Sequence, residues 1–150
     1  MLFRSEDQRI PFYMTWITSY FDHGDLSSRN ADIISYWTPS VARAPSIYGM
    51  SAEDIKDMVV EGTVTLESTI MFMTQSQSNA VYQKACFSES VRSLLPYMKT
   101  TILVGDSTCS FPLNGMFSIQ DDNDKNQGDL KFVIIPGVNH FVSAGGIFCI

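Results

Sequence analysis

Positive charge is scarce in this chain. Lys and Arg number 10 among 150 residues against 16 Asp and Glu, for a net charge of −6 and an isoelectric point near 4.7. The ten cations are scattered and form no basic stripe, which excludes the counterion-releasing contacts that drive nucleic-acid binding and disfavours an anionic membrane surface. Cysteine is also sparse. The three, Cys86, Cys109 and Cys149, are odd in number and far apart, which argues against a disulfide framework and predicts a reducing compartment. Apolar runs last only a few residues, well short of the ~20 that span a bilayer. No Asn-x-Ser/Thr acceptor occurs, and charged Arg4, Glu6, Asp7 and Arg9 do not make a secretory leader. A cytoplasmic location without a membrane span is the resulting expectation.

What the chain does have is apolar material for a core, 45% of residues with 17% charged. Up to about residue 97 the pattern is helical. Phe12, Trp16, Ile17, Tyr20 and Phe21 fall at three- and four-residue intervals, predicting a helix over 10–21 that Gly24 ends. A shorter helix is predicted over 32–37, then a loop over 39–50. Ser51-Ala52-Glu53-Asp54 reads as a capping box opening a helix to Val60. Residues 66–87 predict one long helix or two abutting ones, and Ser88-Glu89 a cap for a helix over 91–98 that Pro96 distorts.

From Lys99 the character changes. Thr100 to Gly105 and Leu130 to Ile135 are short β-branched runs, each stopped by glycine or Pro-Gly, and predict buried strands. Pro112 to Gln120 predicts a helix between them, and the polar stretch Asp121 to Asp129 a solvated turn. Strand, helix, strand implies a right-handed crossover and parallel strands.

The run Gly105-Asp106, the second strand, and Pro136-Gly137-Val138-Asn139-His140-Phe141 resemble the end of the α/β-hydrolase fold. In that family the penultimate strand delivers a catalytic carboxylate and the loop after the last strand the catalytic histidine. The resemblance implies an α/β chain, with a helical lid over 1–98, the closing strand-helix-strand of the hydrolase core over 99–142, and an atypical small-then-apolar tail over 143–150. It assigns His140 as the general base and Asp106 as the acid that orients it, with Asp106 preceding His140 as the family order requires. The common pattern has its acid three residues after the Gly and a Pro seven after it. Pro112 matches; Thr108 occupies the third position.

The nucleophile elbow Gly-x-Ser-x-Gly occurs nowhere in the chain, and without its surroundings the oxyanion donors have no source. The expectation is therefore a truncated, catalytically incomplete hydrolase of the ester or acyl class. It has no metal and no organic cofactor, and its lid suits a hydrophobic small molecule. The alternative is a non-catalytic ligand-binding or protein-interaction module derived from the lid. A two-stranded parallel sheet with a bare face further predicts self-association through that sheet. Ser107, Thr108, Cys109 and Ser110 read as loop polar residues rather than nucleophiles. Asp22-His23-Gly24-Asp25 reads as helix-end and turn chemistry rather than a metal site. Asp122 to Val133 fails the calcium-loop pattern, with Gln127 at the glycine position and Val133 at the terminal glutamate. Tyr36, Trp37, Tyr48, Met50 and Met71 to Met73 read as core rather than as the lining of a lipophilic pocket.

Overall fold

The computed structural model describes residues 6–58 and 69–141. It is a mixed α/β structure with one two-stranded parallel sheet, β1 (Thr101–Gly105) beside β2 (Lys131–Ile135). The helices are α1 (Glu6–Ile17), α2 (Ala52–Met58), α3 (Gln75–Phe87), α4 (Glu89–Arg92) and α5 (Ser110–Lys125). The predicted continuation of α2 to Val60, the start of the following helix at Leu66, and the tail over 143–150 lie outside the described residues.

The chain folds as two compact units. The first joins residues up to Met50 with Ile102–Gln120 and those from Phe132 onward; the second joins Ser51–Thr101 with Asp121–Lys131. The units interleave along the chain, and Leu26, Ile33 and Ile34 share a core with the strands.

That core follows from two periodicities. Ile102 and Val104 alternate with exposed Leu103 on β1, and Phe132 and Ile134 with exposed Val133 on β2, so one sheet face is apolar and covered. Leu113, Met116 and Phe117 of α5, spaced three and four apart, supply the facing stripe. Leu26, Ile33 and buried Ile34 join the same cluster. Each side chain fully buried there contributes about 1.5–3 kcal/mol. A second cluster gathers Ile17, Phe21 and Cys109, with Trp16 and Phe141 against it.

Several predicted elements end elsewhere. The first helix stops at Ile17 rather than Phe21. Thr18 Oγ1 donates to the Met14 carbonyl (2.8 Å) and Ser19 Oγ to that of Thr15 (2.6 Å), satisfying carbonyls the helix leaves open. The chain then runs on as a packed segment, with Phe21 N donating to the Ser107 carbonyl and Ser40 N to that of Tyr20. In place of a helix over 32–37 there is a short 3-10 turn, Ala31–Ile33, capped by Asn30. The helix expected over 91–98 is one turn, Glu89–Arg92.

In the second unit the Ser51–Asp54 box forms reciprocally: Asp54 N donates to Ser51 Oγ (3.1 Å) and Ser51 N to Asp54 Oδ2 (3.0 Å). Residues 69–73 are helical and meet α3 at Thr74, so the long run is two abutting segments. The stretch expected to be a solvated turn begins instead as the last turn of α5. Asp122 there accepts from Tyr82 Oη and Gln83 Nε2, both at 3.1 Å. Burial, then the Asp122 carboxylate, pushes the Tyr82 phenol up to about 12. Left-handed Gln127 (φ 50°) closes the helix, with Gly128 N donating to Asn123 O (2.8 Å) and Gln127 N to Asp124 O (3.4 Å). This is a Schellman ending, which stops the helix where composition alone suggested it had already stopped.

Gly105 is the tightest point in the first unit. A Cβ there would lie 2.1 Å from the Val138 carbonyl oxygen and 2.8 Å from that of Asn139. Both obstacles are backbone and cannot rotate away. Gly105→Ala is expected to destabilise the fold by about 3 kcal/mol or more, read as a lower urea midpoint with an unchanged slope if the native packing survives.

Candidate functional site at the strand ends

Two loops meet beyond the carboxyl ends of β1 and β2, where parallel sheets place their sites. The hydrogen-bonded pairing of the strands carries on into them: Asp106 N donates to the Ile135 carbonyl and Ser107 N to that of Val138, both at 3.0 Å. Residues 105–110 and 136–141 thus form one connected platform carrying Asp106, Thr108 and His140.

Asp106 is turned toward the Gly137 loop. Its Oδ1 accepts from Gly137 N (2.7 Å) and from Ser107 Oγ (3.0 Å). Ser107 Oγ in turn accepts from Arg43 Nη2 (2.7 Å), while Arg43 Nη1 donates to the Gly137 carbonyl (2.9 Å). The Arg43 guanidinium lies 4.2 Å from the centre of the Tyr20 ring. The result is a closed circuit in which Arg43, Ser107 and Asp106 hold the turn at Gly137, itself in a positive-φ conformation (73°). No ion pair or hydrogen bond joins Asp106 to His140 among the described residues.

The partner of His140 is Thr108, whose Oγ1 stands 3.5 Å from His140 Nδ1. Phe111 and Phe141 pack edge-on against the imidazole with centroids at 5.3 and 5.2 Å. Burial in this apolar setting lowers the His140 pKa below its ordinary value. A hydroxyl fixes the ring without offering it a negative charge. The arrangement orients the imidazole with a neutral partner rather than a countercharge.

The other groups of the β1–α5 loop are committed to structure. Thr108, Cys109 and Ser110 are buried, and burial pushes the Cys109 thiol up to about 11, so little thiolate exists near neutrality. His23 bridges this loop to the N-terminal segment. Its Nδ1 accepts from Ser35 N (2.9 Å), which makes Nε2 the protonated nitrogen that donates to the Thr108 carbonyl (2.7 Å). With both nitrogens occupied, His23 has no lone pair left for a metal. Among the described residues no group of three His, Cys, Asp or Glu is placed to hold one.

Two residues that matter here carried no catalytic signature in the sequence. One is Arg43, a cation in a loop with no local pattern. The other is Asn139, fully buried one residue before the histidine. Its Nδ2 donates to the Thr18 carbonyl (2.7 Å) and to Ser46 Oγ (3.0 Å), and its Oδ1 accepts from Phe141 N (3.0 Å). Asn139 thereby pins the histidine loop to the end of α1. Its position next to His140 was the available signal; the partners, some ninety and a hundred and twenty residues away, were not.

Replacing Asn139 by Ala removes the acceptor of Phe141 N and one of the donors to the Thr18 carbonyl, which Ser46 N still serves, and is expected to cost about 1–3 kcal/mol. Iodoacetamide labelling of Cys109 under native conditions should then speed up by about tenfold for each ~1.4 kcal/mol lost, since the thiol is buried and is reached through opening of this core. No family model, curated protein or solved structure matches the chain, so the chemistry of the site rests on its own geometry.

Proposed function

We propose that this chain is a hydrolase-derived module that keeps the scaffold of an acid–histidine pair and lacks its chemistry. The observation that carries the reading is the pairing of Thr108 with His140. Thr108 lies three residues after the glycine that ends β1, the place where α/β-hydrolases carry their acid. His140 lies in the loop after β2, and its Nδ1 is directed at the Thr108 hydroxyl. Position and orientation fit an orienting acid; the residue type does not. Asp106, the carboxylate nearest in sequence, is committed to the Gly137 turn. The 150 residues also contain no Gly-x-Ser-x-Gly. A neutral histidine without carboxylate or nucleophile supports binding or scaffolding rather than acyl transfer.

Thr108→Asp tests the reading. A carboxylate at that position would face His140 Nδ1 and move the ring's titration, followed by its Cε1–H resonance, from below the ordinary histidine value to above it. Thr108→Asn, uncharged, should leave it low. A titration unmoved by Thr108→Asp would mean that position 108 is not the acid's place, and the hydrolase reading would fall. The unmodified chain is expected to hydrolyse simple aryl esters no faster than His140→Ala.

A second observation favours the interaction-module form of the same proposal. In the second unit Leu130 is the only hydrophobic residue buried among those described. Ile70, Met71, Phe72, Met73, Leu94 and Tyr97 are exposed, Phe72 at 82% and Tyr97 at 94%. In the first unit the outer sheet face shows Leu103 and Val133. Such surface normally ends against a partner, and association with a second copy or a hydrophobic ligand would cover it. Sedimentation velocity over a range of concentrations should show reversible association. A monomer at all concentrations that also fails to enhance the fluorescence of an apolar dye would sink this form of the proposal.

A further inference from the structure

The sheet has only two strands among the described residues, so each strand has an edge that its neighbour does not use. The bonds at the two ends of the ladder fix which residues face which way. Lys131 N donates to the Thr100 carbonyl and Asp106 N to that of Ile135, both at 3.0 Å. Along a paired strand the backbone groups alternate sides residue by residue. Ile102 and Val104 therefore turn their N–H and C=O toward β2, and Thr101 and Leu103 turn theirs the other way. Among the described residues no hydrogen bond reaches those groups of Thr101 or Leu103. Both residues are exposed, Leu103 at 50%.

We infer that this outer edge of β1 is a strand-docking site, and that its occupant is β1 of a second copy of the chain, paired antiparallel across a two-fold axis. The inference rests on the association proposed above and names the surface that carries it. An open row of donors and acceptors fits an extended backbone rather than a small apolar ligand. Setting Thr101 opposite Leu103 of the partner subunit, and Leu103 opposite Thr101 of the partner subunit, joins these groups in four hydrogen bonds. That register is self-complementary, as a two-fold interface requires, with Ile102 on the axis. The two small sheets become one continuous sheet of four strands. Leu103 also gains a cross-strand neighbour on the outer face, where it now stands exposed.

The sequences of the two strands favour β1 over β2 as the docking edge. Thr101-Ile102-Leu103-Val104-Gly105 contains no charge and no proline, the devices that commonly protect an edge. β2 opens with Lys131 and is followed at once by Pro136. Its outward backbone groups, those of Phe132 and Ile134, lie between these two residues.

Amide hydrogen exchange of the whole chain at low and high protein concentration, alongside sedimentation velocity, tests the assignment. The Thr101 and Leu103 amides should exchange freely in the dilute chain. At high concentration they should slow in proportion to the monomer left, about tenfold when ~90% of the chain is paired. The Ile102 and Val104 amides, bonded within the sheet, should be protected at both concentrations. Leu103→Pro removes an N–H that points away from β2, a position where an edge strand tolerates proline. It should keep the far-UV circular dichroism and abolish association. Leu103→Lys keeps the N–H, adds a charge to the edge and should weaken association; it decides the matter if the proline variant does not fold. Association that leaves the Thr101 and Leu103 amides unprotected, or that persists unchanged in the folded variant, would overturn the edge assignment and leave association itself standing. A chain that is monomeric at every concentration would remove both.

Discussion

At Gly105 the end of β1 and the loop after β2 approach until the Val138 carbonyl occupies the space a side chain would need. Only a residue without a Cβ permits this. Most of what is distinctive in the first unit follows from that approach. It lets Asp106 N and Ser107 N reach carbonyls across the gap. It brings Gly137 within range of Asp106 and Arg43 and sets Thr108 opposite His140. A bulkier residue would push the loops apart, and none of these short bonds would survive intact.

The platform so formed is held by backbone hydrogen bonds and by four in which one partner, Asp106 or Arg43, is charged. The one cation in its circuit, Arg43, is bound to a carbonyl and a hydroxyl and touches the Asp106 carboxylate only through Ser107. At His140 the choice of hydroxyl over carboxylate decides the electrostatics. A buried imidazole beside a carboxylate gains a proton easily; one between two phenyl rings and a threonine resists it. Burial thus favours the neutral form of His140.

The second unit rests on a different balance. It has ordered helices, a reciprocal capping box at Ser51 and Asp54, and a Schellman turn at Gln127 and Gly128. Arg92 pairs with Asp129 at 3.1 Å on the surface, a contact worth about 0–1 kcal/mol. Local devices of this kind define where helices start and stop. They do not replace an apolar interior, and here most large hydrophobic side chains remain outside.

Much of the fold was legible residue by residue. The β-branched runs at 100–105 and 130–135, the helix between them and the Ser51 box were readable because period, turn residues and caps act over a few positions. The solvated turn expected at 121–129 was overridden by Tyr82 and Gln83, which reach Asp122 from about forty residues away, and the helix expected to run to Phe21 by the Ser107 carbonyl that takes up its N–H. For the site, the sequence by itself determined which residue types stand at the strand ends: a glycine, an aspartate, a threonine and a histidine at recognisable spacing. Only the tertiary structure decided that Asp106 holds the Gly137 turn, that Thr108 is the residue His140 meets, and that His23 reaches the same loop. Spacing along the chain sets the distance between two backbone positions within one element. Which way a side chain points, and what meets it, depends on segments brought together from far apart in the sequence.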